Sequence, residues 1–204
     1  MFANQAAFND PKSRMQALGQ NTRPEGAVVD SRLKPLFYMQ TGGMINPQRD
    51  EIMPGAILYR FSAAKDGIQR GMTGGWWMHA KEFSIVENFA THNRVGVSMA
   101  ARILCCVPPE WSDMTLLLRA RVREPLLAYK GLGNHVNTTA PDNLARVKMT
   151  AHNDIAARRL HQLYIPGLYD YAQKTPQQVM PGALVLEQHW EFTKEEAKKG
   201  WVYI

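Results

Sequence analysis

The sequence predicts an α+β fold. Short apolar runs, each opened or closed by Pro or Gly, recur along the chain. Few stretches carry a helical period, and strand-like and helix-like segments do not alternate as βαβ units would.

The first 50 residues are sparse in apolar side chains and rich in Asn, Gln, Arg and Pro. Their one apolar patch, Leu36-Phe37-Tyr38-Met39, is soon followed by Gly42-Gly43. A mostly irregular leader or arm is expected over 1–50, with one short helix near 13–18, either wrapped on the domain or mobile. The compact domain is expected over 51–204. Met53-Pro54-Gly55-Ala56 reads as a turn and Ile57-Leu58-Tyr59-Arg60-Phe61 as the strand it feeds. Thr73-Gly74-Gly75 turns the chain into a short strand, Trp76-Trp77-Met78. Residues 81–92 read as a helix, with Phe83, Val86 and Ala90 on one face. Ile103-Leu104-Cys105-Cys106-Val107 reads as a strand ended by Pro108-Pro109.

The clearest strand covers 114–122. Leu116, Leu118, Ala120 and Val122 share one side, and Leu117, Arg119, Arg121 and Arg123 share the other. Leu126-Leu127-Ala128-Tyr129 continues it after Pro125, and Gly131-Leu132-Gly133-Asn134 reads as a turn. A short helix is expected over 154–160, then a strand, His161-Gln162-Leu163-Tyr164-Ile165, closed by Pro166-Gly167. Met180-Pro181-Gly182-Ala183 repeats the earlier turn before Leu184-Val185-Leu186, and Trp201-Val202-Tyr203-Ile204 reads as a terminal strand.

A chain of 204 residues with 45% hydrophobic content can bury a core, which excludes wholesale disorder. No run approaches the ~18 apolar residues of a membrane span. Residues 1–14 are polar and lack the apolar stretch of a secretory signal. A cytoplasmic protein is expected, or one delivered into a target cell by a route without such a signal. The two cysteines, Cys105 and Cys106, are neighbours and cannot staple distant segments, so thiolate zinc is excluded. The net charge of +6 favours polyanionic partners without choosing among them.

Phosphate-loop, dinucleotide-glycine, HExxH and nucleophile-elbow motifs are all absent. The histidines at 79, 92, 135, 152, 161 and 189 form no pair at ligand spacing, so no metal site is expected. What remains is an ordered constellation. Tyr59-Arg60 ends a strand, Gly74-Gly75 delivers Trp76-Trp77, a helix with Phe83 follows, and His161-Gln162-Leu163-Tyr164-Ile165-Pro166-Gly167 comes late.

This order resembles the ADP-ribosyltransferase superfamily over about residues 56–170, and more weakly the RES-type toxins that also consume NAD. The resemblance implies two small antiparallel sheets with short helices, flanking an NAD cleft. It implies ADP-ribosyl transfer to a macromolecular target, or NAD hydrolysis, in a bacterial or phage effector or toxin. Tyr59, Arg60, Gly74, Gly75, Trp76, Trp77 and Phe83 would hold NAD. Arg60 would grip phosphate or ribose with its planar fork, and an indole would offer a flat face to nicotinamide. The glycines would let backbone approach the ligand.

The family's catalytic glutamate on the late strand is matched here by Gln162, which can hydrogen-bond a ribose hydroxyl but cannot offset a cation. Either Glu87 or Glu187 supplies the carboxylate, or the alignment is shifted, or the protein is a weak or non-catalytic member. His135, after the Gly133-Asn134 turn, is a further residue within reach of a cleft. Two rival readings stand beside this one. A nucleic-acid binder would use the stripe Arg119, Arg121 and Arg123 together with Arg158-Arg159. A structural or interaction protein would use residues 1–50 as an arm.

Overall fold

A computed structural model describes residues 1–20, 27–29, 35–38, 42–108, 111–139, 146–149, 160–170, 175–176 and 182–199. The fold is α+β. Two helices, α1 (Gln5–Asn9) and α2 (Pro11–Ala17), come first, then the hairpin β1 (Ala27–Val29) and β2 (Pro35–Tyr38). β3 (Met44–Ile52) and β4 (Ile57–Ser62) follow, then a 3-10 turn at Ala64–Asp66 and α3 (Gly67–Thr73). β5 (Trp76–His79) runs straight into α4 (Ala80–Asn93), and α5 (Val97–Cys105) comes next. β6 (Leu116–Val122), β7 (Leu126–Gly133), the hairpin β8 (Val136–Thr139) and β9 (Arg146–Met149), and β10 (His161–Tyr164) complete the centre. β11 (Tyr169–Asp170) pairs with β12 (Thr175–Pro176), and β13 (Leu184–Glu191) and α6 (Lys194–Ala197) close the described chain.

Seven strands form one antiparallel sheet in the order β13-β6-β4-β5-β10-β7-β3. Its middle strand changes partners along its length. Trp76 and Trp77 of β5 pair with Tyr164 and Leu163 of β10, whereas Met78 and His79 pair with Tyr59 and Leu58 of β4. The sheet cannot be flat. β6 and β7 stand second and sixth in the order, about 19 Å apart on a flat sheet at about 4.8 Å per strand. Yet Val122 and Leu126 are joined by four residue steps, which reach only about 14 Å when extended. The sheet therefore folds back about β5, and its two halves face each other. One core cluster confirms it: Leu58, Leu116, Leu118 and Leu184 from one half pack with Ile52, Leu126, Ala128 and Leu163 from the other, around Trp77. Asp50 of β3 and His79 of β5 pair at 3.1 Å across the two halves. The two sheets expected from the sequence are thus halves of one sheet that share a strand.

A second core lies on the outer face of β4 and β6. Leu117 joins Phe83, Val86 and Ala90 of α4 and Ala100, Ala101 and Leu104 of α5 there. The alternation in β6 holds for the arginines, while Leu117 is buried like Leu116 and Leu118 because these helices cover that end.

Four sequence expectations need correction. Residues 1–50 are not mostly irregular: they carry α1, α2, β1, β2 and most of β3, and their start packs on the domain. Asn4 is buried, and its side chain donates to the Leu127 and Pro166 carbonyls and accepts from the Leu127 amide. Phe8 stacks on Tyr129 at 4.4 Å, and β3 is an edge strand of the main sheet. Residues 103–107 hold the end of helix α5, not a strand. Gly131 and Gly133 lie inside β7, where a Cβ on Gly131 would press on the Ile45 carbonyl at 2.9 Å; the glycine admits a close strand, not a turn. Finally, β7 does not extend β6 but lies across the fold from it. The expected helix over 154–160 lies, up to residue 159, outside the described residues, as do the strand over 201–204 and Arg158-Arg159.

Candidate active site

Where β5 shifts from β10 to β4, the ladder opens on both sides. Arg60 and Phe61 of β4 have no backbone pairing with β5, and neither has Gln162 of β10. A half-open hollow of about 70 Å³ occupies this joint. At ~10–15 Å³ per water position, with each water's share of liquid near ~30 Å³, it takes a group the size of one planar ring. The strands contribute Tyr59, Arg60, Phe61, Trp76, Trp77, Met78 and Gln162, and the end of α5 with its following loop contributes Cys105, Val107, Ser112 and Met114.

Arg60 is held from two directions. Its Nη1 donates to the Trp76 carbonyl at 2.6 Å, bridging the gap where the β4–β5 ladder is missing. Its guanidinium lies flat against Gly74, so close that a Cβ there would collide with Nη2, Cζ and Nε. Gly74 also accepts a hydrogen bond from the Trp77 indole at 2.7 Å, and Gly75 accepts from the Ile165 amide at 2.8 Å. A Cβ on Gly75 would meet the Tyr164 ring at 2.7 Å. The two glycines thus make room for an arginine and a tyrosine of the protein itself, which corrects their expected role toward the ligand.

The adjacent tryptophans divide. Trp77 is buried in the central core, while Trp76 is half-buried and tilts on Tyr164 at 5.3 Å. Gln162 is buried, and its Nε2 donates to the Cys105 carbonyl at 3.3 Å, so its amide is oriented by the end of α5. Tyr59 stacks on Phe83 at 4.0 Å, nearly parallel. Phe83 therefore supports the wall from behind and does not line the hollow, contrary to expectation. Burial pushes the Cys105 thiol up to about 12, reinforced by Cys106, itself raised to about 11 by burial. Both stay protonated near neutral pH, so neither is a nucleophile there.

The two candidate carboxylates are not in the site. Glu87 is exposed on α4. Glu187 of β13 is ion-paired with both Arg119 and Arg121, and β13 is three strands from β5. This carboxylate offsets one of the three positive charges in the arginine stripe on which a nucleic-acid reading rests. His135 is exposed and does not line the hollow. Among the described residues, no carboxylate lines the hollow. No group of three His, Cys, Asp or Glu residues suited to a metal occurs among the described residues. No helix among them is long and apolar enough to cross a membrane.

The wall from α5 and its loop has little signature in the sequence. Its only local signal was Ser112-Asp113-Met114, a polar turn ahead of the strongest strand.

No family model matches the chain, and no curated protein matches it. Two solved structures are similar in shape. One is Tne2 in complex with Tni2, at 12% identity and a TM-score of 0.40, covering 72% of this chain and 95% of that one. The other is Rhs1-CT in complex with its cognate immunity protein RhsI1, at 10% identity and a TM-score of 0.40, covering 72% of this chain and 83% of that one.

Proposed function

We propose that the hollow binds NAD and that the protein consumes it, passing ADP-ribose to a macromolecular acceptor or to water. The observation that supports this reading is convergence. Arg60, Trp76 and Gln162 come from three separate strands, and all line one ring-sized space at the joint of a folded sheet. A guanidinium fixed in place suits an anionic or oxygen-rich group, the indole suits a flat ring, and the amide suits a ribose hydroxyl. The role as an effector delivered to a target, and a macromolecule as acceptor, belong to this reading through the sequence resemblance.

In the reaction, the bond between ribose C1′ and the nicotinamide nitrogen breaks. Its electron pair stays on that nitrogen and cancels the positive charge of the ring. The acceptor's oxygen or nitrogen bonds to C1′ and gives up a proton. The ribose passes through an oxocarbenium-like state, as in glycoside hydrolysis. Arg60, itself fixed against Gly74 and by the Trp76 carbonyl, grips the substrate, and Gln162 offers a neutral dipole. Among the described residues the lining supplies binding and orientation, through Arg60, Trp76 and Gln162.

Incubating the purified protein with NAD and measuring free nicotinamide by chromatography tests the reading. Release above the protein-free rate is expected, and Arg60→Ala is expected to abolish it. The fold should also gain about 2.7 kcal/mol when NAD is 100-fold above its Kd. An absence of both release and stabilisation would overturn the reading.

A further inference from the structure

The wall of the hollow that comes from the loop after α5 is held by a polar stripe on that helix. Ser98 and Arg102 lie one turn apart and share a helix face. Both are buried, at 1% and 4% exposure, in a helix that is otherwise packed with apolar side chains. Arg102 donates from Nη1 to the Val107 carbonyl and from Nη2 to the Ser112 carbonyl, each at 2.8 Å. Ser98 donates from Oγ to the Met114 carbonyl at 2.9 Å. All three acceptors belong to residues that line the hollow.

A buried guanidinium is costly unless its donors are met, and here its fork ties together two backbone carbonyls five residues apart, those of Val107 and Ser112. The same helix ends at Cys105, whose carbonyl orients the Gln162 amide. One element thus fixes both Val107, Ser112 and Met114 and the Gln162 amide that lines the same hollow.

We infer that Arg102 is a positioning residue: it sets the shape of the hollow by splinting Val107, Ser112 and Met114, with Ser98 as the second tether. The inference rests on the NAD reading for its functional consequence, but the splint can be measured without NAD. Losing the fork loosens a binding surface while leaving Arg60 and Gln162 in place. Losing a charged hydrogen bond of this kind corresponds to about a tenfold to hundredfold change in an equilibrium.

Two readouts decide it, on full-length Arg102→Ala, Arg102→Lys and Ser98→Ala. Amide hydrogen exchange over 107–114 should speed up at least about tenfold in Arg102→Ala, in line with that range, while β6 and β10 keep their protection. Arg102→Lys can satisfy one carbonyl but not both, so it should fall between Arg102→Ala and the parent. Ser98→Ala, the smallest change, should loosen the Met114 end alone and keeps the test open if Arg102→Ala does not fold. With NAD as the probe, KM should rise about tenfold or more for Arg102→Ala, again by that range, with kcat nearly unchanged. Unchanged exchange over 107–114 in all three variants would overturn the splint. Altered exchange with KM unchanged would overturn its role in binding. If the parent protein releases no nicotinamide, the NAD reading falls, and the exchange data still judge the splint.

Discussion

At the scale of single residues, the site depends on a position that carries no side chain. Gly74 lies against the flat face of the Arg60 guanidinium and offers its carbonyl to the Trp77 indole. Gly74→Ala should therefore displace Arg60 without touching its charge. It is expected to destabilise the fold by about 1–3 kcal/mol, as overpacked sites do. It should also reduce nicotinamide release nearly as far as Arg60→Ala does, although the arginine is still present. A variant that folds and releases nicotinamide at the parent rate would show that the packing of Arg60 on Gly74 does not matter. The sequence made Arg60, Gly74 and Trp76 visible because a glycine turn beside aromatics is a strong local signal. It could not show that the glycines serve Arg60 and Tyr164, because those contacts cross between strands. Nor could it show that Glu187 is engaged by Arg119 and Arg121, since β13 and β6 meet only in the folded sheet.

At the scale of elements, β5 decides where the hollow is. Four residues long, it lends its first half to β10 and its second to β4. Trp77, 2% exposed, fills the core beneath that change of partner. Trp77→Ala should cost about 3–5 kcal/mol, measured by denaturant unfolding, as expected for removing a buried indole. A loss below about 1 kcal/mol would mean that the core there can collapse around the gap, in contrast to well-packed interiors. The strands β4, β5, β6 and β10 and the helix α4 were legible because each has its own period and punctuation. α5 was not. Ser98, Met99, Ala100, Ala101, Arg102 and Leu104 are all buried, so the helix shows no apolar stripe, and its last residues read as a buried strand. β3 was hidden for the opposite reason. It is a polar edge strand, interrupted by Asn46 at positive φ and a bulge between Ile45 and Gln48.

At the scale of the whole molecule, the folded sheet is the device that brings distant segments to one point. Its halves are joined by the shared core and by the Asp50–His79 pair. The hydrogen bond from His79 holds the Asp50 carboxyl below the usual carboxylate range, against the opposing effect of burial. A depressed acid stabilises the fold above its unfolded pKa of about 3.9 and loses that contribution as pH falls through the lower folded value. Urea unfolding should therefore find the parent more stable than Asp50→Ala at pH 6, with the difference shrinking below pH ~4. A difference that does not change with pH would mean that the pair contributes packing and not charge. The most direct measurement of the account is calorimetric titration of NAD into the parent protein and into Arg60→Ala. One site per chain is expected in the parent, with affinity at least about tenfold weaker in the variant, the usual scale for losing a charge-assisted contact. No binding by the parent, or equal binding by both, would contradict it.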